Sequence, residues 1–233
     1  MERKIYGIFL AGGQGLRMGT DTPKQFLILE GLPVLQRTIE RFVEACPGME
    51  VITVLPKNHF STWKALCIEY NFNYKQTLVE GGITRFHSVK NALQKVPEGA
   101  TVLIHDGVRP IVSVPFLQKI VEHTATRCAV IPVLPSFESL KSLEKNEKGE
   151  LVCCDGPDPD RSRVFSAQTP QAFHSEVVKW AYDQAYDLAF TDDASVVKRK
   201  NIPLSFVAGE RWNIKLTTRE DLAIARFLLE CRP

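Results

Sequence analysis

The sequence lacks a strong charge of either sign, a long apolar run and any paired-cysteine motif, and each absence removes a class of function. Its 233 residues carry a net charge of +2. That is too little for a molecule-wide field that would grip nucleic acid or an anionic membrane. No apolar run approaches the ~18 residues a membrane span needs. The stretch from Ile5 to Ala11 follows Arg3 and Lys4 but runs into Gly12-Gly13-Gln14-Gly15, not a small-x-small cleavage site. A first buried strand is therefore expected there, not a secretory signal. The 6 cysteines (Cys46, Cys67, Cys128, Cys153, Cys154 and Cys231) form no Cys-x-x-Cys, and none has a histidine at zinc-ligand spacing. Without a secretory signal they read as reduced thiols, and the expected localisation is cytoplasmic.

Hydrophobic residues make up 44% and charged residues 24%, the composition of a folded globular chain. Short apolar runs at Ile5–Leu10, 51–55, 101–104 and 129–134 are rich in β-branched residues, as buried strands are. Amphipathic stretches at 33–46, 84–96 and 113–126 lie between them, the first aligning Leu35, Ile39 and Phe42. This alternation predicts βαβ units: an α/β, Rossmann-like, mostly parallel sheet with helices on both faces. The rhythm breaks at Pro135. Segment 136–166 is polar, yet Leu140, Leu143, Leu151 and Val152 make it too apolar for a free loop. A β-rich protruding arm that packs on a second copy of the chain is expected, appended to one domain spanning 1–233. Helical patterning returns at 174–188 and 192–200, and a capping box at Thr217-Thr218-Arg219-Glu220 opens a last helix.

The densest chemical signal is Leu10-Ala11-Gly12-Gly13-Gln14-Gly15-Leu16-Arg17-Met18-Gly19, continuing to Pro23-Lys24-Gln25. It directly follows the first strand, and ligands in open α/β sheets bind at the carboxyl ends of strands. Glycines let backbone N–H groups approach phosphate oxygens closely. Arg17 and Lys24 add cations. A dinucleotide fingerprint starting at Gly13 would need Gly or Ala where Met18 stands, and no Gly-Lys-Ser/Thr completes a P-loop. The chain also shows no Ser/His/Asp or Cys/His arrangement for covalent catalysis. His105-Asp106-Gly107-Val108-Arg109-Pro110 ends another apolar strand. Asp106 suits Mg²⁺, and the Arg109 fork suits phosphate or hydroxyls. His105 is expected to be a packed histidine beside the site.

Taken together, the glycine loop resembles that of nucleotidyltransferases joining CTP to a sugar or polyol phosphate. Within that group the chain resembles the 2-C-methyl-D-erythritol 4-phosphate cytidylyltransferase family. Further matches are Glu80-Gly81-Gly82-x-x-Arg85-x-x-Ser88-Val89, His105-Asp106-x-x-Arg109-Pro110, Gln168-Thr169-Pro170-Gln171-x-Phe173, Thr191-Asp192-Asp193-Ala194 and Asn213-Ile214-Lys215. The resemblance implies that CTP and a polyol phosphate give a CDP-polyol and pyrophosphate. It implies that Arg17, Lys24, Lys215 and Arg161 act in catalysis. The nucleotide would be bound by Ala11, Gly12, Gly13, Gly15, Gly82, Arg85, Ser88 and Gly107. The acceptor would be bound by Asp106, Arg109, Thr169 and Thr191. Asp106 would hold Mg²⁺ or another divalent cation. Arg161 would reach the acceptor of the partner subunit in a homodimer formed through the arm, with Arg163 a rival for that role. Neither nucleic acid nor a membrane is an expected partner.

The acceptor phosphate has a second pKa of ~6, so it is already mostly dianionic at neutral pH and needs no general base. The expected catalysis is charge neutralisation and in-line positioning. Three departures from the family pattern stand out. Leu16 replaces a second basic residue, Ile83 replaces a frequent polar residue, and Gly107-Val108 replaces a pair of alanines. The valine before Arg109-Pro110 also occurs in ribitol-5-phosphate cytidylyltransferases, which keeps that acceptor as an alternative. A nucleotidyltransferase for another sugar phosphate and a non-catalytic nucleotide sensor are further alternatives.

Overall fold

The computed structural model describes residues 3–13 and 22–231. Gly15, Leu16 and Arg17 of the glycine loop lie outside the described residues.

Strand β1 (Ile5–Leu10) runs between β4 (Glu50–Leu55) and β6 (Thr101–Asp106), parallel to both, and β5 (Gln76–Glu80) extends the sheet beyond β4. On the other side of β6 come β11 (Gln171–His174) and β7 (Ala129–Pro135), with β10 (Phe165–Ala167) and β12 (Ser205–Ala208) also pairing β7. Among the described residues the sheet has 8 strands. The expected mostly parallel sheet is present, and its exceptions are β10 and β11, which run antiparallel to β7. A short hairpin of β2 (Ile28–Leu29) and β3 (Leu32–Pro33) leads into helix α1 (Val34–Ala45).

Side chains alternate across a strand, so one apolar run serves both faces. Ile8, Ile52, Val54, Val102 and Ile104 face α3 (Arg85–Leu93), α5 (Ser175–Tyr182) and α6 (Asp193–Arg199). Phe9, Val51, Leu55 and Leu103 face α1, α2 (Phe60–Glu69) and α4 (Val114–Thr126). On this second face Phe42 packs edge-on to Phe9, ring centroids 4.9 Å apart. Phe42→Ala would cost ~3–5 kcal/mol, the range for deleting a buried aromatic side chain. A smaller cluster of Leu29, Val34, Val108, Ile111 and Leu216 receives α7 (Arg219–Glu230).

Local signals start the helices. Thr84 caps α3 by accepting from the N–H of His87, and Ser113 caps α4 by accepting from that of Phe116. The capping box of α7 sits one residue later than the sequence suggested. Thr218 and Asp221 form it, because the Asp221 carboxylate accepts from the N–H groups of both Thr217 and Thr218. Helix α5 ends at Tyr182, short of the 188 suggested by periodicity. Its ring stacks on Phe86, centroids 4.8 Å apart, and Phe86 in turn stacks on Phe190.

In the 136–166 segment, β8 (Leu143–Lys145) and β9 (Leu151–Cys153) pair only with each other, as a separate two-stranded sheet with exposed side chains. Its turn uses Asn146, whose side-chain oxygen accepts from the N–H of Lys148 and Glu150. The two ends of the segment meet beside the main sheet, where the Ser136 N–H donates to the Val164 carbonyl at 3.0 Å and Phe165 pairs with Pro135 of β7.

Candidate active site

A cleft of about 500 Å³ opens at the carboxyl ends of β1, β4 and β6. Ala11, Gly12 and Gly13 line it from the end of β1, and Lys24 from the short helical turn that follows. The loop's entry is held from below: buried Gln25 donates through Nε2 to the carbonyl of Ala11 at 2.7 Å. Gln25 stood in the quoted motif without a role, and this bond supplies one. Gly81, Gly82, Arg85 and Ser88 form the opposite wall. The Gly82 N–H donates to Ser88 Oγ at 3.0 Å, and the Ser88 hydroxyl bonds the Thr84 carbonyl at 3.0 Å. These bonds fold the glycine pair back over the first turn of α3. A Cβ on Gly82 would meet His87 Cβ at 2.4 Å, so only glycine fits there.

Asp106 and Lys215 meet in the cleft, Nζ 3.1 Å from Oδ2. Arg109 Nε contacts the same oxygen at 3.1 Å and its terminal nitrogen donates to the Asn213 carbonyl at 2.8 Å. Burial alone would raise the Asp106 pKa. The charges of Lys215, Arg85 and Arg109 outweigh burial and hold the carboxyl well below the usual range, so it is ionised at neutral pH. Lys215 is the more exposed member, with 43% of its side chain open against 11% for Asp106.

His105 is a packed histidine, as expected. Burial lowers its pKa to about 3, so the ring is neutral. Nε2 lies 3.3 Å from the Arg109 carbonyl and must donate there, which leaves Nδ1 to accept from the Thr169 hydroxyl at 2.9 Å. Thr169 Oγ1 in turn accepts from the Asp106 N–H at 3.2 Å. Thr169 is therefore buried behind Asp106, supporting it from the sheet side.

Other residues named from the sequence stand differently. Arg85 lines the cleft, but its guanidinium makes two bonds, 2.7 and 2.6 Å, to Asp193, which is fully buried. Tyr182 donates to the same carboxylate at 2.5 Å. Burial would lower the Arg85 pKa, yet the Asp193 charge and bonds outweigh it and raise the pKa, so the guanidinium stays charged. Asp193 was not singled out, because nothing local marks a partner 108 positions away. The Gly107 N–H donates to the Leu10 carbonyl at 2.9 Å and its carbonyl accepts from Thr38 at 3.1 Å. Both backbone groups of Gly107 are thus engaged inside the fold, and a Cβ there would meet Leu35 Cδ1 at 2.8 Å. Close packing requires this glycine, and it is not among the residues that line the cleft. Arg161 and Arg163 sit in an exposed turn of the 136–166 segment, where Arg161 donates to the Phe137 carbonyl at 3.2 Å. Thr191 is exposed just before α6 and does not line the cleft.

Among the described residues no group of three His, Cys, Asp or Glu side chains could hold a metal, and no helix is long and apolar enough to cross a membrane. Mg²⁺ commonly takes one or two carboxylates with substrate phosphates supplying the rest. Asp106, ionised, facing the cleft and contacted by both cations on Oδ2, fits that donor set.

Residues 5–231 match the family model IspD: 2-C-methyl-D-erythritol 4-phosphate cytidylyltransferase. The curated enzyme of that name from Phocaeicola vulgatus is 47% identical over 98% of this chain and 100% of its own. That from Porphyromonas gingivalis is 44% identical over 98% and 99%. Among solved structures, the Francisella tularensis 2-C-methyl-D-erythritol 4-phosphate cytidylyltransferase superposes with a TM-score of 0.77 at 28% identity, covering 97% of this chain and 99% of that one. With the loop, the Asp106–Lys215 pair and these likenesses in hand, the chain belongs to the 2-C-methyl-D-erythritol 4-phosphate cytidylyltransferase family and is a cytidylyltransferase.

Proposed function

We propose that this chain transfers CMP from CTP to 2-C-methyl-D-erythritol 4-phosphate, giving the CDP-polyol and pyrophosphate. The observation that carries this reading is the placement of Lys215 and Asp106 across the cleft from the glycine loop and Lys24. In the transfer, an acceptor phosphate oxygen attacks the α-phosphorus of CTP, the bond to the β-phosphate oxygen breaks, and pyrophosphate leaves. No proton need move, since the acceptor phosphate is mostly dianionic at neutral pH. The barrier is the mutual repulsion of two polyanions, which fixed cations remove.

Each residue takes the role its position allows. The backbone N–H groups of Gly12 and Gly13, with Arg17 and Lys24, meet the triphosphate and the leaving pyrophosphate, while the Ala11 N–H is already donated to the Val54 carbonyl at 2.9 Å. Lys215 neutralises the α-phosphate. Gly82 and Ser88 form the corner for cytosine and ribose. Asp106 would hold Mg²⁺ or another divalent cation, which when bound would offset phosphate charge. Arg109 stands beside it, toward the acceptor. Arg161 belongs to a homodimer in which the 136–166 segment of one subunit reaches the other's acceptor. The exposed Phe137, Leu143, Leu151 and Phe165 support that interface. The reduced cysteines and the absence of a long apolar helix among the described residues fit a cytoplasmic enzyme.

Pyrophosphate release with CTP, ATP, GTP and UTP, each paired with methylerythritol 4-phosphate and ribitol 5-phosphate, tests the reading. Turnover is expected with CTP and the methylerythritol acceptor. Preference for ribitol phosphate, or for another nucleotide, would overturn it. The relatives matched carry the methylerythritol name, so the ribitol alternative is not favoured.

A further inference from the structure

The stretch that delivers Lys215 has no regular secondary structure between the end of β12 at Ala208 and the start of α7 at Arg219. Backbone bonds tie its two ends, the Gly209 N–H to the Val133 carbonyl at 2.8 Å and the Leu216 N–H to the Val108 carbonyl at 2.9 Å, and side chains hold what lies between. Gln168 ties the first part of that span, and Arg109 bonds the Asn213 carbonyl within it. The Gln168 carboxamide acts as a substitute peptide group on Glu210: Nε2 donates to the Glu210 carbonyl at 2.8 Å, and the Glu210 N–H donates to Oε1 at 3.0 Å. Nε2 also lies 3.4 Å from the carbonyl of Asn213. Gln168 is itself tied to the sheet, its N–H donating to the Pro132 carbonyl at 2.8 Å. It sits between β10 and β11, where the chain leaves one pairing and takes up the next.

Two neighbours show how closely this contact is built. A Cβ on Gly209 would come within 2.4 Å of Gln168 Oε1, so the backbone approaches the amide as only glycine permits. Asn213 Nδ2 donates to the Thr169 carbonyl at 2.7 Å, tying the far end of the stretch to the residue after Gln168. Two positions on, Lys215 Nζ meets Asp106. Only a carboxamide donates and accepts in parallel at this spot. A carboxylate cannot donate to the Glu210 carbonyl, and alanine does neither.

We propose that Gln168 is a positioning residue for the transfer: its amide holds residues 210–215 so that the Lys215 ammonium faces the reacting phosphate. The proposal rests on the reading of Lys215 given above. Gln168 touches no substrate, and its effect on the transfer passes through the stretch that places the Lys215 charge. Misplacing a reacting group by ~1 Å can cost ~10²-fold in rate, whereas ground-state binding of the nucleotide involves many other groups.

A double-mutant cycle on the full-length enzyme tests this, with kcat and the KM for CTP measured by pyrophosphate release for Gln168→Ala, Lys215→Ala and the double variant. Gln168→Ala is expected to lower kcat ~10–100-fold, with KM for CTP changed by less than about 2-fold. In the Lys215→Ala background the same substitution should change kcat by less than about 2-fold, because there is no ammonium left to misplace. Losses that multiply in the double variant would overturn the proposal, as would an unchanged kcat for Gln168→Ala. A Lys215→Ala enzyme with normal turnover would instead sink the reading of Lys215 and leave that failure distinguishable. Circular dichroism checks folding. Should Gln168→Ala not fold, Gly209→Ala puts the same question with the amide intact. It is expected to reproduce the kcat-selective loss, and an enzyme with unaltered kcat would contradict the proposal.

Discussion

Two aspartates show how one ion-pair chemistry serves opposite ends. Asp193 is fully buried, and Arg85 and Tyr182 together make three bonds to its carboxylate. Asp106 also pairs with an arginine, but it opens onto the cleft and is shared between that arginine and a lysine, both contacting one of its oxygens. The first arrangement is saturated: it ties α3 to α6 and so fixes the wall that carries Gly82 and Ser88. The second has capacity left for a ligand. An ionised group whose bonds are all made within the protein is an anchor, while one still facing solvent with bonding capacity left is placed to work. Arg85 stands between the two: it lines the cleft, as the resemblance implies for a nucleotide contact, while two of its nitrogens bond Asp193.

The comparison can be broken by exchanging the penalties. Asp193→Ala leaves the Arg85 charge without its buried partner and is expected to cost ~3–5 kcal/mol of stability. Denaturant unfolding checks this. A loss below about 1 kcal/mol would mean that Asp193 is no anchor. Asp106→Asn and Lys215→Ala should lose ~10²–10³ in kcat, the scale for removing a preorganised charged group, while unfolding far less than Asp193→Ala. Lys24→Ala is expected to fall in the same range, and so is Arg17→Ala. Should Asp106→Asn unfold as readily as Asp193→Ala, the two carboxylates would not differ in kind.

A finer test uses pH. The buried His105 has its pKa lowered from 6.5 to about 3. The unfolded chain therefore binds a proton that the folded one refuses. The stability from the neutral ring is complete above about 6.5 and declines as pH falls toward about 3. One such group contributes a slope of at most ~1.4 kcal/mol per pH unit. Unfolding free energies of the parent and His105→Gln, measured between pH 7 and pH 4, should converge as the solution is acidified. Parallel curves would show that His105 does not titrate on unfolding. The smallest effect is expected from Leu151→Asp in the separate two-stranded sheet: little change in the stability of one subunit, but a shift toward monomer in light scattering. A homodimer unaffected by this change would place the interface elsewhere.

Much of the fold was legible because it is written in local periods. The run Ile5–Leu10 with its glycine loop, the β-branched runs that became β4, β6 and β7, and the apolar stripe of α1 each carry their pattern within a dozen residues. The separate hairpin was legible as a break in that pattern. The antiparallel return of β10 and β11 was not, since a strand's direction depends on the sheet edge it meets. Ala11, Gly12 and Gly13 of the glycine loop, with Lys24, Ser88, Asp106 and Lys215, were named from motifs and line one cleft. The Arg85–Asp193 pair and the Gln168–Glu210 contact were not visible, because 108 and 42 positions separate the partners and no period spans such distances.

The sequence by itself determined the α/β class, the place of the glycine loop at the end of the first strand, and the cations that follow it. These follow from near-neighbour physics: alternation, capping and the freedom of glycine. Only the tertiary structure decided which charges remain available and which are tied up inside the fold. A charge's role depends on the partner that burial brings to it, and burial is a property of the whole chain.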